Sequence, residues 1–310
     1  MHLGDLTFLG FYTQFLEDFK KKVKSGTRVS GTYCKYEALS KHLKNFIRRT
    51  YRRDDVAFSE VNCKFIEEFD YYLRCEVGIA HNTIWMYMIA LTTFCRLALS
   101  RKHLSSNPFS EYRNTRKEKD RGFLLKSELE QIINFNAEPG MSTLVKDLFI
   151  FSCFTGLSFS DLRALSPKHI QEFFDGKTWI ILRRKKTATS SNVMLLDIPK
   201  AIISKYEEMG GDRIFPVPTN MTCNRYLKKM GNLLPCLSGK KMSFHLARHT
   251  FGTLFLSEGV PLESLSKMMG HKNIATTQIY AKILNEKVGK DMEKVSHNFK
   301  KMDKAFGAAF

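Results

Sequence analysis

Apolar side chains recur every three or four residues through the first hundred positions, and that rhythm confines the N-terminal third to packed amphipathic helices. Phe8, Phe11, Phe15, Phe19 and Val23 mark a helix over 8–24, closed by Ser25-Gly26. A second helix is predicted from Thr32 to about Tyr51, with Tyr36, Leu39, Leu43 and Phe46 as its buried stripe. Its opposite face carries Lys35, Lys41, Lys44, Arg48 and Arg49. Val61–Arg74 reads as a third helix through Phe65, Ile66, Phe69 and Leu73. After Gly78, Asn82–Ser100 reads as a fourth through Ile84, Met88, Leu91, Phe94 and Leu97. Helices of this length, joined by short connections, build a small bundle. Such an aromatic stripe is expected in the core, not as a nucleotide-stacking surface. The basic faces suit either solvent or a polyanion.

Pro cannot continue a helix, so Asn107-Pro108 should close this first domain, residues 1–107. A polar, basic stretch follows, running Arg113-Asn-Thr-Arg116-Lys117-Glu-Lys119-Asp-Arg121-Gly122 without apolar periodicity. It reads as an interdomain linker over 108–122. The second domain, 123–310, is predicted to open with a helix over Leu125–Phe135 and a second, apolar helix over Leu144–Ser152. Alternation and turn chemistry predict a β-hairpin, with strands Thr178–Arg184 and Val193–Ile198 around a turn at Ala188–Asn192. Helical spacing then resumes over Ile202–Met209, Met221–Leu233, His245–Leu256 and Leu262–Met269, the last ended by Gly270. Thr276-Thr277-Gln-Ile-Tyr280 looks like the start of a short helix capped by Thr. Beyond it, Val288, Met292, Val295, Phe299, Met302 and Phe306 form an apolar stripe over Glu286–Phe306, basic on the other side. The fold class expected is mainly α with a small β-hairpin or sheet.

The formal charge of +18, from 49 Lys and Arg against 31 Asp and Glu, favours a polyanionic partner. Seven dispersed cysteines without a C-x-x-C pair argue against a disulfide framework or zinc site and predict reduced thiols. No signal peptide is evident, and no apolar run was expected to approach the roughly 18 residues of a membrane span. The chain is expected to be soluble and intracellular, with no membrane partner.

Chemistry concentrates near the C-terminus. His245 and Arg248, three apart, share one helix face. Arg248 offers a planar fork of donors suited to a phosphate, and His245 can donate to it or exchange a proton. His271 follows Gly270, and Tyr280 lies nine residues further on. A phenol can attack phosphorus when neighbouring cations and a base ease its deprotonation. His245 and His249 have the spacing of a helical zinc pair, but Leu246 stands where such metalloproteases need Glu, so no metal is expected. No Walker-type glycine loop and no Ser or Cys nucleophile motif is present.

This ordered set resembles the catalytic end of the tyrosine recombinases, or phage integrase family, whose signature runs His-x-x-Arg, Gly-His or Gly-Trp, then the nucleophilic Tyr. Upstream, Thr155-Gly156-Leu157-x-x-Ser160-Asp161-Leu162 resembles the family's first motif, except that Ser158 occupies the slot of its first Arg. The chain therefore looks like a branch with Ser in that place.

The resemblance implies a helical, SAM-like core-binding domain over 1–107, a tyrosine-recombinase catalytic domain over 123–310, and a C-terminal helix that docks on a neighbouring protomer. It implies Tyr280 as nucleophile on DNA, forming a 3′-phosphotyrosyl link and releasing a 5′-hydroxyl. Arg248 and His271 would stabilise the phosphorane, His245 would handle a proton, and Lys186 at the hairpin tip, with Lys185 as fallback, would protonate the leaving oxygen. Residues two apart on a strand share a face, so Arg184 should point with Lys186 and is the candidate to supply the lost guanidinium. Lys35, Arg113, Arg116 and Lys117 are candidate DNA contacts.

The implied partners are double-stranded DNA, a homo-tetramer on two duplexes, and accessory DNA-bending or directionality proteins. The implied setting is a bacterial mobile element, in the cytoplasm at the nucleoid, with no cofactor. The first helix starts too early to leave room for an arm-binding domain. The alternatives are a non-catalytic DNA-binding relative that lost turnover with the first Arg, and a monomeric nicking-closing enzyme.

Overall fold

The structure, a computed structural model, describes residues 6–118, 122–184, 189–207, 209 and 211–281, together with isolated positions between 289 and 299. The chain divides into two compact units, Met1–Lys119 and Asp120–Phe310.

In the first unit, α1 (Phe8–Lys24), α2 (Ser30–Tyr51), α3 (Cys63–Tyr71) and α4 (His81–Ser100) follow the apolar rhythm closely. Wider helical turns at Tyr72–Glu76 extend α3. Thr7 makes no side-chain cap for α1. Its free amides are instead met by Asp55, which accepts from Leu9 N at 2.9 Å and Gly10 N at 3.2 Å. Phe94 of α4 is the hub of the core. The rings of Phe8, Phe11, Tyr12 and Phe15 stand 4.6–5.5 Å from it, mostly tilted or edge-on, as aromatic quadrupoles prefer. By length and apolar composition α4 does match a membrane span, which corrects the sequence expectation. Ile84, Met88, Leu91 and Phe94 nonetheless lie in the core of this unit.

Residues 108–117 are bound along the first unit. Tyr112 donates its hydroxyl to Asp70 at 2.8 Å, and Asn114 donates to the Trp85 carbonyl at 3.0 Å. Asn82 and Lys117 exchange two hydrogen bonds at 2.9 and 3.0 Å.

The second unit is built on α6 (Met141–Thr155), apolar on nearly every face, as a central helix must be. Around it stand α5 (Lys126–Asn134), α7 (Phe159–Ala164), α8 (Asp197–Tyr206), α9 (Asn220–Leu233) and α10 (Phe244–Ser257). Then come α11 (Leu262–Met268) and α12 (Ala275–Ala281). The antiparallel sheet has three strands in the order β1 (Ile170–Glu172), β2 (Thr178–Arg183), β3 (Ser190–Met194).

Strand β1, too short to show alternation, adds a third strand to the expected hairpin, and two sequence expectations are corrected. Asn192, expected in the turn, pairs with Ile181 inside the ladder. Residues 197–198, expected to end the second strand, begin helix α8.

Candidate active site

Helix α6 ends at Gly156, whose φ of +65° turns the chain out of the helix. Its carbonyl accepts a hydrogen bond from Nη1 of Arg248. Two residues on, Ser158 caps α7 and donates its hydroxyl to Oδ2 of Asp161 at 2.7 Å. The same carboxylate oxygen accepts from Nε of Arg184 at 3.1 Å.

Arg184 reaches this position by strand alternation. Arg183, one residue earlier, is exposed, whereas Arg184 is 8% exposed and turned into the unit. Its Nη1 donates to the Gly270 carbonyl at 3.1 Å. Gly270 ends the turn after α11 with φ +59°, and a Cβ there would overlap Cδ of Arg184. The glycine that stops the helix is thus also the one that admits the arginine. Thr189 anchors the other hairpin arm to the same carbonyl at 2.6 Å.

Arg248 projects from α10 and is 7% exposed. Besides Gly156 it donates through Nη2 to the Met269 carbonyl at 2.5 Å and to Nε2 of His271 at 2.9 Å. A guanidinium can only donate, so Nε2 of His271 is the acceptor. The ring proton then sits on Nδ1 and is donated to Thr277 Oγ1 at 2.7 Å. Burial, with help from Arg248 and Arg184, lowers the His271 pKa to about 4, in keeping with a neutral ring. Burial, reinforced by the neighbouring Arg184, lowers Arg248 to about 10, so it remains a cation at neutral pH.

Tyr280 of α12 is 3% exposed. Its ring lies against the bare backbone of Gly252, where a Cβ would come within 2.7 Å, and edge-on to His249 at 5.3 Å. Burial raises the phenol pKa, and the charges of Arg248 and Arg184 oppose that rise. His245, exposed at the start of α10, faces His249 with Nε2 atoms 2.9 Å apart. A cleft of about 220 Å³ opens beside them, lined by Ser158, Asn220, Asn224, Ser243, His245 and Arg248.

The structure therefore brings Arg184, His245, Arg248, His271 and Tyr280 into one cluster. Lys186 and Lys185 lie outside the described residues, as does most of the C-terminal stripe, of which Met292 and Phe299 are exposed. Lys35 rests over the Tyr36 ring at 5.2 Å, and Arg116 over Trp85 at 5.5 Å. Arg113, Arg116 and Lys117 are exposed on the first unit. Sequence reasoning assigned no role to Asp161 or to the Asn220 and Asn224 pair. The buried acid after Ser158 was the one available signal. It also cast Thr as the cap of the last helix. The Asn273 side chain accepts from Ala275 N instead, and Thr277 is fully buried against His271. Among the described residues no group of His, Cys, Asp and Glu is arranged to hold a metal.

Two buried arginines, a neutral histidine and a buried phenol thus gather on a helical scaffold, with Arg248 reaching the cleft. The chain belongs to the phage integrase family. Residues 122–287 match that family, and residues 7–116 match the phage integrase SAM-like domain. The chain is similar to tyrosine recombinase XerC of Bacillus licheniformis, 24% identical over 76% of this chain and 80% of that protein. It is similar to tyrosine recombinase XerA of Saccharolobus solfataricus, 32% identical over 42% of this chain; that match spans only 43% of the relative's length. In fold it resembles the Tn1549 transposon integrase in complex with a circular intermediate DNA (TM-score 0.68, 18% identity, 88% of this chain and 94% of that one). It also resembles the XerH site-specific recombinase bound to palindromic difH substrate (TM-score 0.67, 17% identity, 91% and 84%).

Proposed function

We propose that this chain is a site-specific DNA recombinase that cuts and rejoins DNA through Tyr280, in a branch where Ser158 has replaced the first arginine. The observation that carries this reading is the position of Arg184, hydrogen-bonded to Asp161 and Gly270 beside Arg248 and Tyr280. Ser158 carries no guanidinium, and its hydroxyl is engaged with Asp161. Arg184, anchored on the carboxylate that Ser158 also engages, brings the second guanidinium back to the site.

In the reaction, Arg248 and Arg184 hold the non-bridging oxygens of the scissile phosphate and stabilise the charge that develops on them. The Tyr280 oxygen attacks phosphorus and its proton passes to a base. The 3′-phosphotyrosyl bond forms as the bond to the 5′-oxygen breaks, and that oxygen takes a proton from Lys186. His245 handles protons at the phosphate, and His271 supports the phosphorane by holding Arg248 through the Nε2 that accepts from it. Bond energy is retained in the covalent link, so the exchange consumes no nucleotide.

The similarity to recombinases and integrases supports double-stranded DNA as substrate and a mobile element as the setting. The first unit, with Lys35, Arg113, Arg116 and Lys117, grips the duplex, and four protomers join two duplexes through the C-terminal segment. A nicked duplex that loses its 5′-fragment on cleavage tests the core of the reading. Wild-type protein should accumulate a denaturation-resistant DNA adduct, and Tyr280→Phe should bind DNA and form none. An adduct with the Phe variant would remove Tyr280 as nucleophile. No adduct with either would favour a DNA-binding protein without turnover.

A further inference from the structure

The recombinase reading uses His245, Arg248, His271 and Tyr280, yet one buried imidazole among them has no part in it. His249 is 9% exposed and follows Arg248 directly on α10. One turn separates it from His245, and the two Nε2 atoms lie 2.9 Å apart, with ring planes at 76°. It also meets the edge of Tyr280, at 5.3 Å and 70°. His249 therefore touches both the proton-handling histidine and the nucleophile's ring.

Two imidazole nitrogens at hydrogen-bond distance hold one proton between them, and one donates while the other accepts. In either direction that bond ties the proton position of His245 to that of His249, and it holds the ring's rotation. Around the pair lie the cations Arg248 and Arg184, the Asp161 carboxylate paired with Arg184, the neutral His271 on the α11–α12 turn and the Tyr280 phenol on α12.

We propose, resting on the recombinase reading, that His249 is a positioning residue. It locks the tautomer and orientation of His245 through the Nε2–Nε2 hydrogen bond and seats the Tyr280 ring against Gly252. It touches neither DNA nor the reacting atoms, so its effect falls on the rate of the chemical step and not on DNA binding.

His249→Gln keeps a polar nitrogen near the position of Nε2, able to donate or accept. His249→Phe keeps the ring edge on Tyr280 and loses the nitrogen, and His249→Asn falls one methylene short. Adduct formation on the nicked duplex is followed in a single turnover at saturating DNA, with DNA affinity and thermal unfolding measured in parallel. His249→Phe and His249→Asn should slow adduct formation about tenfold, the rate equivalent of one hydrogen bond, with DNA affinity unchanged. His249→Gln should recover most of the rate. Wild-type rates in all three variants would overturn the proposal, and so would an equal loss in all three, which marks simple packing. Should the Phe variant fail to fold, the contrast between Gln and Asn decides. Failure of the wild-type protein to form any adduct would count against the recombinase reading itself, a separate outcome.

Discussion

In the first unit, tyrosines and cysteine apart, Ser40 is the one polar side chain buried among the described residues, whereas the second unit buries Asp161, Arg184, Arg248, His249 and Thr277 in one cluster. The first is a hydrophobic object. Its aromatic rings, packed around Phe94, gain chiefly from leaving water, and the Tyr12 hydroxyl is satisfied by the Tyr36 carbonyl. The second takes guanidinium groups out of water, at a cost that ion pairs and hydrogen bonds only partly return. Every buried side-chain nitrogen and oxygen among the described residues does have a partner. Several of those partners are backbone carbonyls, at Gly156, Met269 and Gly270. Apolar replacements of buried ion pairs are often as good for stability, so stability alone does not account for these charges.

The sharpest way to break this contrast is at Arg184. If it supplies the second phosphate clamp, Arg184→Ala should slow adduct formation by about 10²–10³, the usual cost of one preorganised donor. Arg183→Ala, on the exposed side of the same strand, should chiefly weaken DNA binding in a salt-dependent way. Equal and mild effects in single-turnover assays would leave Ser158 uncompensated.

The converse experiment lies in the first unit. Phe94 is fully buried, and Phe94→Ala should cost about 3–5 kcal/mol of stability through lost transfer energy and a cavity. The denaturant midpoint of the first unit should fall accordingly. Where the protein stays folded, adduct formation at saturating DNA should change little. A large loss of rate with intact folding would show that the first unit contributes to the chemistry.

A smaller effect concerns pH. His271 is held neutral in the fold with a pKa of about 4, against an ordinary value of 6.5. Below 6.5 the unfolded chain binds a proton that the folded chain refuses, so acidification favours unfolding. This contribution to stability is complete above about 6.5 and is lost as pH falls toward about 4. His271→Gln should flatten that part of the melting-temperature profile between pH 7 and 4. An unchanged slope would place the acid sensitivity elsewhere.

Much of this organisation was legible in the sequence. The helices of the first unit follow from the spacing of Phe8, Phe11, Leu39, Leu43, Phe65 and Phe94, because a helix must hide a stripe that recurs every three or four residues. The order His245, Arg248, His271, Tyr280 announced the site, and strand alternation alone separates inward Arg184 from outward Arg183. Short elements escaped notice. Strand β1 has three residues, too few for a period, and the first residues of α8 continue a run that alternates like a strand.

The tertiary structure alone decided what Arg184 and Arg248 hold. Asp161, Gly156, the Met269–Gly270 turn and Thr277 belong to separate elements, and their bonds to the arginines and His271 include spans of 86 and 92 positions. Sequence periodicity fixes which face of a helix or strand turns inward, because burial of apolar area depends only on local spacing. It carries no information on which backbone carbonyl will stand opposite a given guanidinium, since that depends on how α6, α10, α11 and the hairpin pack.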